Sequence, residues 1–258
     1  MLNFKNVNII FAILLLLFIF LQAKYQISIW WLLGLFFLWI TLTTIGSFHI
    51  RWNYFLKAKH ANYTITTNEV ALTFDDGPNP IYTNKALELL KKHNVKATFF
   101  CIGKNAEKYP ELIKKILKNG HQLGNHSYQH NNDYGFLSTK KVIEDILKTQ
   151  KILKEIVELD SKLFRPPFGV TNPNIAKAVK KSDLQTIGWS IRSYDTAAKN
   201  ADKVFEKINK KIKKGDIILL HDTSVLSISV LEQLLQWLQK NDIKTVTINQ
   251  LFNINTNA

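Results

Sequence analysis

Residues 70–80 read VALTFDDGPNP, a short apolar run that ends in two adjacent aspartates and a Gly-Pro turn. An apolar run bounded by turn residues is typical of a buried β-strand. Two neighbouring carboxylates at the end of such a strand repel each other, and burial disfavours their charged forms. A metal ion or a hydrogen-bonding partner would compensate for this cost. The alternative is a solvated turn, since Asp, Gly, Pro and Asn are all common turn residues.

The first 50 residues contain two long apolar segments. No charged residue occurs from 7 to 23 or from 25 to 50, and only Lys24 lies between the two segments. Each segment approaches the roughly 20 apolar residues that span a bilayer. We therefore predict two transmembrane helices, at about 7–23 and 27–46, that form a hairpin and bring the chain into contact with membrane lipid.

This pattern divides the chain into a membrane anchor, residues 1–60, and a second domain, residues 61–258. A cleaved signal peptide is the alternative for the first apolar segment, because Lys5 precedes it. Basic residues flank the hairpin mainly on its outer sides, so the positive-inside rule favours both termini in the cytoplasm. Large domains also translocate regardless of such charges, so both orientations of the second domain stay open.

The chain is strongly basic, with a net charge of +14, and residues 1–60 contain five basic and no acidic residues. The lysines are spread through helical patterns without interleaved aromatic residues or a recognition motif, so we predict no nucleic-acid partner. A solvated basic surface near anionic lipid accounts for the charge. The single cysteine, Cys101, excludes an intramolecular disulfide framework and a thiolate zinc cluster.

The second domain alternates strand-like and helical patterns. Seven apolar, β-rich runs predict strands at about 70–74, 96–101, 121–124, 163–164, 184–189, 217–220 and 244–248. Six segments with apolar residues at spacings of three and four predict helices at about 82–93, 106–119, 138–157, 174–181, 202–213 and 229–240. Repeated strand-helix units favour parallel strands with crossover helices. The sequence therefore predicts an α/β fold, either a (β/α) barrel, complete or incomplete, or a doubly wound sheet.

Polar residues follow five of the predicted strands. These are Asp75 and Asp76 after the first strand, His126 after the third, Arg165 after the fourth, Asp195 after the fifth, and His221 with Asp222 after the sixth. In a barrel the carboxyl ends of all strands meet on one face. Residues far apart in sequence would then converge on one site.

His126 and His130 are four residues apart, so on a helical turn their imidazoles would face the same way. A lone histidine pair at this spacing is usually incidental, and here the other strand ends support it. With one of the two aspartates the pair makes a two-histidine, one-carboxylate set with open positions. Such a set suits zinc, and also iron or cobalt.

The remaining residues suit metal-assisted hydrolysis. The second aspartate, kept ionised by the metal and Arg165, would accept a proton from water. His221 would protonate a leaving group, and Asp195 or Asp222 would raise its pKa. Standing alone, His221 would instead be interpreted as a strand cap and Arg165 as half of a surface salt bridge.

Four segments, in order, resemble the motifs of the NodB-like polysaccharide deacetylases. They are TFDDGP at 73–78, HSYQH at 126–130, RPPFG at 165–169 and LLH at 219–221. The resemblance runs from about residue 68 to 250 and excludes the apolar hairpin. It implies a distorted (β/α) barrel of about seven strands and the hydrolysis of an N-acetyl, or sometimes an O-acetyl, group on a sugar.

The resemblance also implies a role for each matching residue. Asp75 would be the general base, oriented by Arg165. The zinc ligands would be Asp76, His126 and His130.

The implied leaving-group and substrate contacts come from the later motifs. His221 would be the general acid with Asp195 as its partner. The backbone amide near Phe168 would stabilise the oxyanion, and Leu219 would line the pocket for the acetyl methyl group. One motif departs from the family pattern Asp-x-x-Asp-Trp, because residues 192–196 read RSYDT.

The sequence thus predicts a membrane-anchored, zinc-dependent deacetylase whose partner is an N-acetylated glycan, with no obligate protein partner. The glycan belongs to a polysaccharide, to peptidoglycan or to a lipid-linked sugar. The alternative is a membrane-tethered glycan-binding protein that has lost catalysis.

Overall fold

Two apolar helices begin the chain. In the computed structural model, which describes residues 3–158 and 160–254, α1 spans Phe4–Tyr25 and α2 spans Trp30–Phe48. Both are long and apolar enough to cross a membrane, and only 6% of the most apolar 18-residue stretch of each helix is buried within the protein. Length and composition alone do not separate an anchor from a signal sequence, because a signal sequence passes the same test.

The helices differ from their predicted bounds for local reasons. The Asn3 side chain accepts the Asn6 backbone N–H at 2.8 Å, and this N-cap starts α1 three residues earlier than predicted. The helix continues through Lys24 and ends where Gln26 adopts a left-handed conformation, with φ of 49°. Residues 1–2 of the predicted anchor, and 159 and 255–258 of the predicted second domain, lie outside the described residues.

The strand that ends in Asp75 lies at the centre of a parallel sheet. The strands within the described residues are β1 (Ala58–Lys59), β2 (Glu69–Asp75), β3 (Thr98–Cys101), β4 (Gln122–Asn125), β5 (Leu163–Phe164), β6 (Gln185–Ile187), β7 (Ile191–Arg192), β8 (Ile217–His221) and β9 (Lys244–Val246). One edge of β2 pairs with β8, and its other edge pairs with β9 and then with β3. The pairings continue through β4 and β5 to β6, which also pairs with β1.

The sheet has the strand order β1-β6-β5-β4-β3-β2-β8-β7 and curls into a distorted barrel. β7 pairs with β8, and only residues 188–190 separate β6 from β7. The prediction of a (β/α) barrel is therefore confirmed, and the doubly wound alternative is wrong. All seven predicted strands are present. The two additional strands, β1 and β7, each consist of one apolar and one basic residue, so neither forms an apolar run in the sequence.

Helices cover the outside of the barrel. They are α3 (Tyr82–Lys92), α4 (Gly103–Lys108), α5 (Pro110–Lys118), α6 (Thr139–Val157), α7 (Pro173–Lys181), α8 (Ala201–Asn209), α9 (Val225–Lys240) and α10 (Ile248–Phe252). Each of the longer ones buries one apolar face; α9, for example, buries Leu231, Leu234, Leu235 and Leu238. Burying a leucine contributes about 1.5–3 kcal/mol, so these faces hold the helices on the sheet.

Two elements have bounds that differ from the prediction. The predicted helix at 106–119 is divided into α4 and α5, because Pro110 lacks an N–H and starts a new helix. The predicted strand at 244–248 stops at Val246 because Thr247 caps α10. The Gln250 side chain accepts the Thr247 N–H at 2.9 Å, which completes a capping box.

Residues between α2 and the predicted start of the second domain belong to the barrel. Ile50 is buried in an apolar cluster that includes Phe100 and Trp189, and β1 pairs with β6. The change in composition near residue 60 therefore does not coincide with the edge of the sheet.

Candidate active site

The two aspartates at the end of β2 face different partners. Asp75 is 3% exposed, and its carboxylate lies 2.6 Å from the Arg165 guanidinium. The backbone turns at Asp76, whose φ of 74° is rare for a residue other than glycine. The Asp76 carboxylate consequently faces His126, His130 and His221.

Arg165 is fully buried, so its interpretation as part of a surface salt bridge is wrong. Besides Asp75, the guanidinium donates to the Thr73 hydroxyl at 2.9 Å and to the carbonyls of Ile187 and Gly188. The ring of Phe100 lies 4.1 Å below it. Burial lowers the pKa of Arg165, and the Asp75 charge opposes that shift. The hydrogen bonds compensate for the loss of water around the cation.

His126 and His130 meet through a loop and not through the expected helical turn. Ser127 and His130 have φ values of 66° and 52°, and residues 126–130 are not helical. The carboxylate of Asp145, on α6, accepts the backbone N–H groups of Tyr128 and Gln129 at 2.8 and 3.0 Å. These bonds replace the helical ones and bring the two imidazole centroids to 4.8 Å.

Asp76, His126 and His130 each offer one ligand atom, and these three atoms lie within 4.8 Å of one another. The Asp76 Oδ1 lies 3.4 Å from the His126 Nε2 and 3.3 Å from the His130 Nε2. A tetrahedral zinc site with bonds of about 2.0–2.1 Å has ligand-to-ligand edges of about 3.3–3.4 Å. The His126 Nδ1 donates to the Arg165 carbonyl at 2.8 Å, which leaves Nε2 to face the site. The three residues therefore fit a metal ion.

Burial and the neighbouring charges shift the pKa values of Asp76 and His126 in opposite directions. Burial alone would raise the pKa of Asp76, but the hydrogen bond and charge of His126, with the other histidines, lower it. Burial would lower the pKa of His126, and the charges of Asp75 and Asp76 raise it. Burial and the charge of His126 lower the pKa of His130 to about 4. His130 is therefore neutral at pH 7, the form in which imidazole binds metal, whereas at His126 a metal competes with a proton.

His221 is held by Asp195 and not by Asp222. The His221 Nδ1 donates to Asp195 Oδ1 at 2.6 Å, and its backbone N–H donates to Oδ2 at 2.9 Å. Ser193 donates a further hydrogen bond to Asp195 at 2.7 Å. Burial would lower the pKa of His221, but its hydrogen bond to Asp195 and the Asp195 charge raise it.

Asp222 points away from this histidine. It accepts the Thr83 hydroxyl and approaches the backbone at Gly77, where a Cβ would collide with its carboxylate. Burial raises the pKa of Asp222 to about 7. Asp222 thus supports the turn after Asp76.

A cavity of about 120 Å³ joins these side chains. Its wall includes Phe168, 4.7 Å from the His130 ring, and the buried Leu219. All nine residues implied by the resemblance therefore lie in or directly against one site. The sequence motifs did not assign four further lining residues, which are Gly169, Trp189, Arg192 and Thr196.

A larger cavity, about 510 Å³, lies at the opposite end of the strands, between β4, β5, β6 and α10. His121 lines it, but its Nδ1 accepts the Ala97 N–H. Within residues 3–158 and 160–254, the only group of three candidate metal ligands is the one at Asp76. The smaller cavity is therefore the candidate active site.

Comparisons with known proteins agree with this geometry. Residues 62–187 match the polysaccharide deacetylase family. A Bacillus cereus peptidoglycan-N-acetylglucosamine deacetylase is 36% identical over 200 residues, which are 74% of this chain and 92% of that protein. The chain belongs to the polysaccharide deacetylase family.

Solved structures of the deacetylase family share the fold. The crystal structure of the peptidoglycan N-acetylglucosamine deacetylase Bc1960 aligns with a TM-score of 0.73 at 33% identity, over 78% of this chain and 94% of that one. A family pseudoenzyme from Bacillus anthracis aligns with a TM-score of 0.67 at 28% identity, over 72% and 66%. Membership alone therefore does not establish activity, and the residues of the site carry that argument.

The Asp195–His221 contact predicts a measurable shift. Asp195→Asn removes the charge that favours the imidazolium, while burial continues to oppose it, so the pKa of His221 falls. NMR titration of ¹³C-labelled histidines in the metal-free protein measures this shift. Asp202→Asn, on the exposed side of α8, is the matched control. An unchanged His221 pKa in Asp195→Asn would contradict the assignment.

Proposed function

We propose that the chain is a membrane-anchored, metal-dependent deacetylase that removes acetyl groups, N-acetyl above all, from a sugar. The sugar belongs to a polysaccharide, to peptidoglycan or to a lipid-linked glycan, in line with the relatives named above. One observation carries the proposal. Asp76, His126 and His130 converge beside a separate carboxylate, Asp75, that is held by a buried arginine.

Asp76, His126 and His130 would hold a divalent ion, for which zinc is the first candidate. Such an ion, when bound, would supply Lewis-acid chemistry by polarising the acetyl carbonyl and lowering the pKa of water. The Arg165 carbonyl orients His126 by accepting its Nδ1–H, and Asp145 holds the loop that carries both histidines. Loss of such supporting contacts typically lowers metal affinity by about 10- to 100-fold.

Asp75 is the general base. Its Oδ1 is bound to Arg165, and its Oδ2 lies 3.8 Å from the His126 Nε2, so it faces the reacting centre. Arg165 orients this carboxylate through the 2.6 Å ion pair, and Asp75 accepts the proton of the water that attacks the acetyl carbon.

His221 is the general acid. Asp195 fixes its Nδ1–H, so Nε2 faces the cavity, 3.9 Å from the Asp76 carboxylate. His221 donates a proton to the sugar nitrogen as the C–N bond breaks, which yields acetate and a free amine. Leu219 contacts the acetyl methyl group, and the backbone amide near Phe168 donates to the oxyanion.

The membrane anchor is the hairpin of α1 and α2. With 22 and 19 residues, the helices are about 33 and 28 Å long, which matches a hydrocarbon core of about 30 Å. Their apolar side chains are largely exposed, including Trp30 and Trp31 at 74% and 72%. Tryptophans at a helix end are typical of a membrane interface.

Activity depends on Asp75. The full chain in detergent releases acetate from an N-acetylated chitooligosaccharide or peptidoglycan fragment, and Asp75→Asn lowers kcat by about 10²- to 10⁴-fold, because proton removal from water is lost. Asp202→Asn controls for the loss of one carboxylate. Glycan binding without acetate release by the metal-loaded wild type would favour the inactive glycan-binding alternative.

Metal binding depends on His126. The substitution His126→Ala removes one zinc ligand, so this variant retains less zinc than the wild type after dialysis against a weak chelator, as measured by elemental analysis. His93→Asn, whose side chain bonds Gln239 outside the site, retains the wild-type amount. A strong chelator abolishes acetate release and added zinc restores it. Equal metal content in both variants would sink the assigned ligand set.

The hairpin stays attached to the mature protein. Carbonate-washed membranes retain the full-length chain, with a mass that includes residues 1–25, because α1 is held in the bilayer with α2. Intact mass spectrometry measures this. A shortened chain that lacks α1 would instead support a cleaved signal peptide.

A further inference from the structure

The end of the hairpin is bonded directly to the barrel. The Ser47 hydroxyl donates to the Thr171 carbonyl at 2.5 Å, and the Thr171 N–H donates back to the Ser47 carbonyl at 2.9 Å. Arg51 donates to the Ser190 carbonyl at 3.2 Å. At the start of α1, the Phe4 N–H donates to the Tyr54 carbonyl at 2.9 Å. Both helices are thus fixed against the domain without a free linker.

The contact points lie next to the catalytic cavity. Thr171 follows Gly169 by two residues, and Ser190 directly follows Trp189; Gly169 and Trp189 both line the cavity. Two residues of chain span at most about 7 Å. One wall of the cavity therefore lies within about 10 Å of the last turn of α2.

Two exposed phenylalanines lie close in sequence to residues bonded at this wall. Phe136 is 91% exposed, and the carbonyl of the preceding Gly135 accepts a hydrogen bond from Asn172, beside Thr171. Phe48, at the end of α2, is 62% exposed. Aromatic residues are enriched where a protein meets the membrane–water interface.

The wall also carries a cation without an acidic partner. The Arg192 guanidinium stacks on Trp189 and Tyr194, with centroid distances of 5.4 and 4.9 Å. Among residues 3–158 and 160–254, no carboxylate lies within 4.0 Å of it. Arg192 also lines the cavity. The planar fork of arginine is well suited to phosphate oxygens.

We propose that the hairpin holds the catalytic opening against the bilayer surface and that the substrate is an acetamido sugar joined through phosphate to a membrane lipid. The headgroup layer adds only about 5–8 Å to each side of the hydrocarbon core, so a lipid-linked sugar lies at the height of the cavity. Arg192 binds the phosphate. The inference rests on the proposed deacetylase and on its membrane anchor, and it narrows the substrate to one class.

The placement is tested without any enzymatic reaction. A fluorescent label on Phe136→Cys, in vesicles of phosphatidylglycerol and phosphatidylcholine, is quenched by lipids that carry a nitroxide near the headgroup. A label on Lys240→Cys is not quenched, because the end of α9 lies beside the start of β2, at the strand ends opposite Asp75. The native Cys101 is buried and does not react. Equal quenching at both positions would overturn the placement.

The substrate class is tested by comparing two sugars in the same vesicles: polyprenyl-phosphate-linked N-acetylglucosamine and the water-soluble methyl glycoside of N-acetylglucosamine. The wild type prefers the lipid-linked sugar in kcat/KM by about tenfold or more, because the anchor raises its effective concentration. A flexible linker of about 20 residues inserted between Phe48 and His49 removes most of that preference.

Arg192→Gln lowers the same preference by about tenfold, because a charge-assisted contact to phosphate is lost. Lys203→Gln, which removes one exposed charge on α8, leaves the preference unchanged. Equal kcat/KM values for the two sugars, or a preference that survives both the linker and Arg192→Gln, would overturn the substrate class. Absence of acetate release from either sugar would instead refute the proposed deacetylase, while the labelling result still decides the placement.

Discussion

The buried ion pair of Asp75 and Arg165 is the contact on which the rest of the site depends. Arg165 follows β5, and its guanidinium also bonds Ile187 of β6 and Thr73 of β2, so it ties together three strands of the barrel. Its carbonyl accepts the His126 Nδ1–H. One residue thus holds the carboxylate proposed as the base, orients a histidine proposed as a metal ligand and links strands of the barrel. Removing one partner of such a buried pair costs about 3–5 kcal/mol, so stability and chemistry are linked here.

Much of this arrangement follows from the sequence, because parallel strands carry the residues after them to one face. The conformation of the histidine loop does not. Spacing alone suggested a helical turn, whereas the loop takes its shape from Asp145, which is 15 residues beyond His130 and lies on α6. A local pattern cannot reveal a hydrogen-bond partner that only the packing of a later helix supplies.

The partner of His221 was undecided for a similar reason. Successive residues of an extended chain point to opposite sides, so Asp222 turns towards Thr83 when His221 faces the cavity. Asp195 reaches His221 because β7 pairs with β8 just before it. Because β7 consists of one apolar and one basic residue, Ile191 and Arg192, it forms no apolar run, and this pairing was visible only in the fold.

Composition separates the hairpin from the rest of the chain, whereas hydrogen bonds join the hairpin to the barrel. A flexible tether would let the barrel sample many heights above a membrane and would impose little choice of substrate. Here Ser47 is bonded to Thr171, and Ile50 lies in the same apolar cluster as Trp189 of the cavity wall. With the hairpin in a bilayer, as proposed, a rigid attachment would restrict the cavity to one distance from the membrane surface. Position can then act as a selectivity device, since a sugar fixed at that distance is presented to the site at far higher effective concentration than one free in solution.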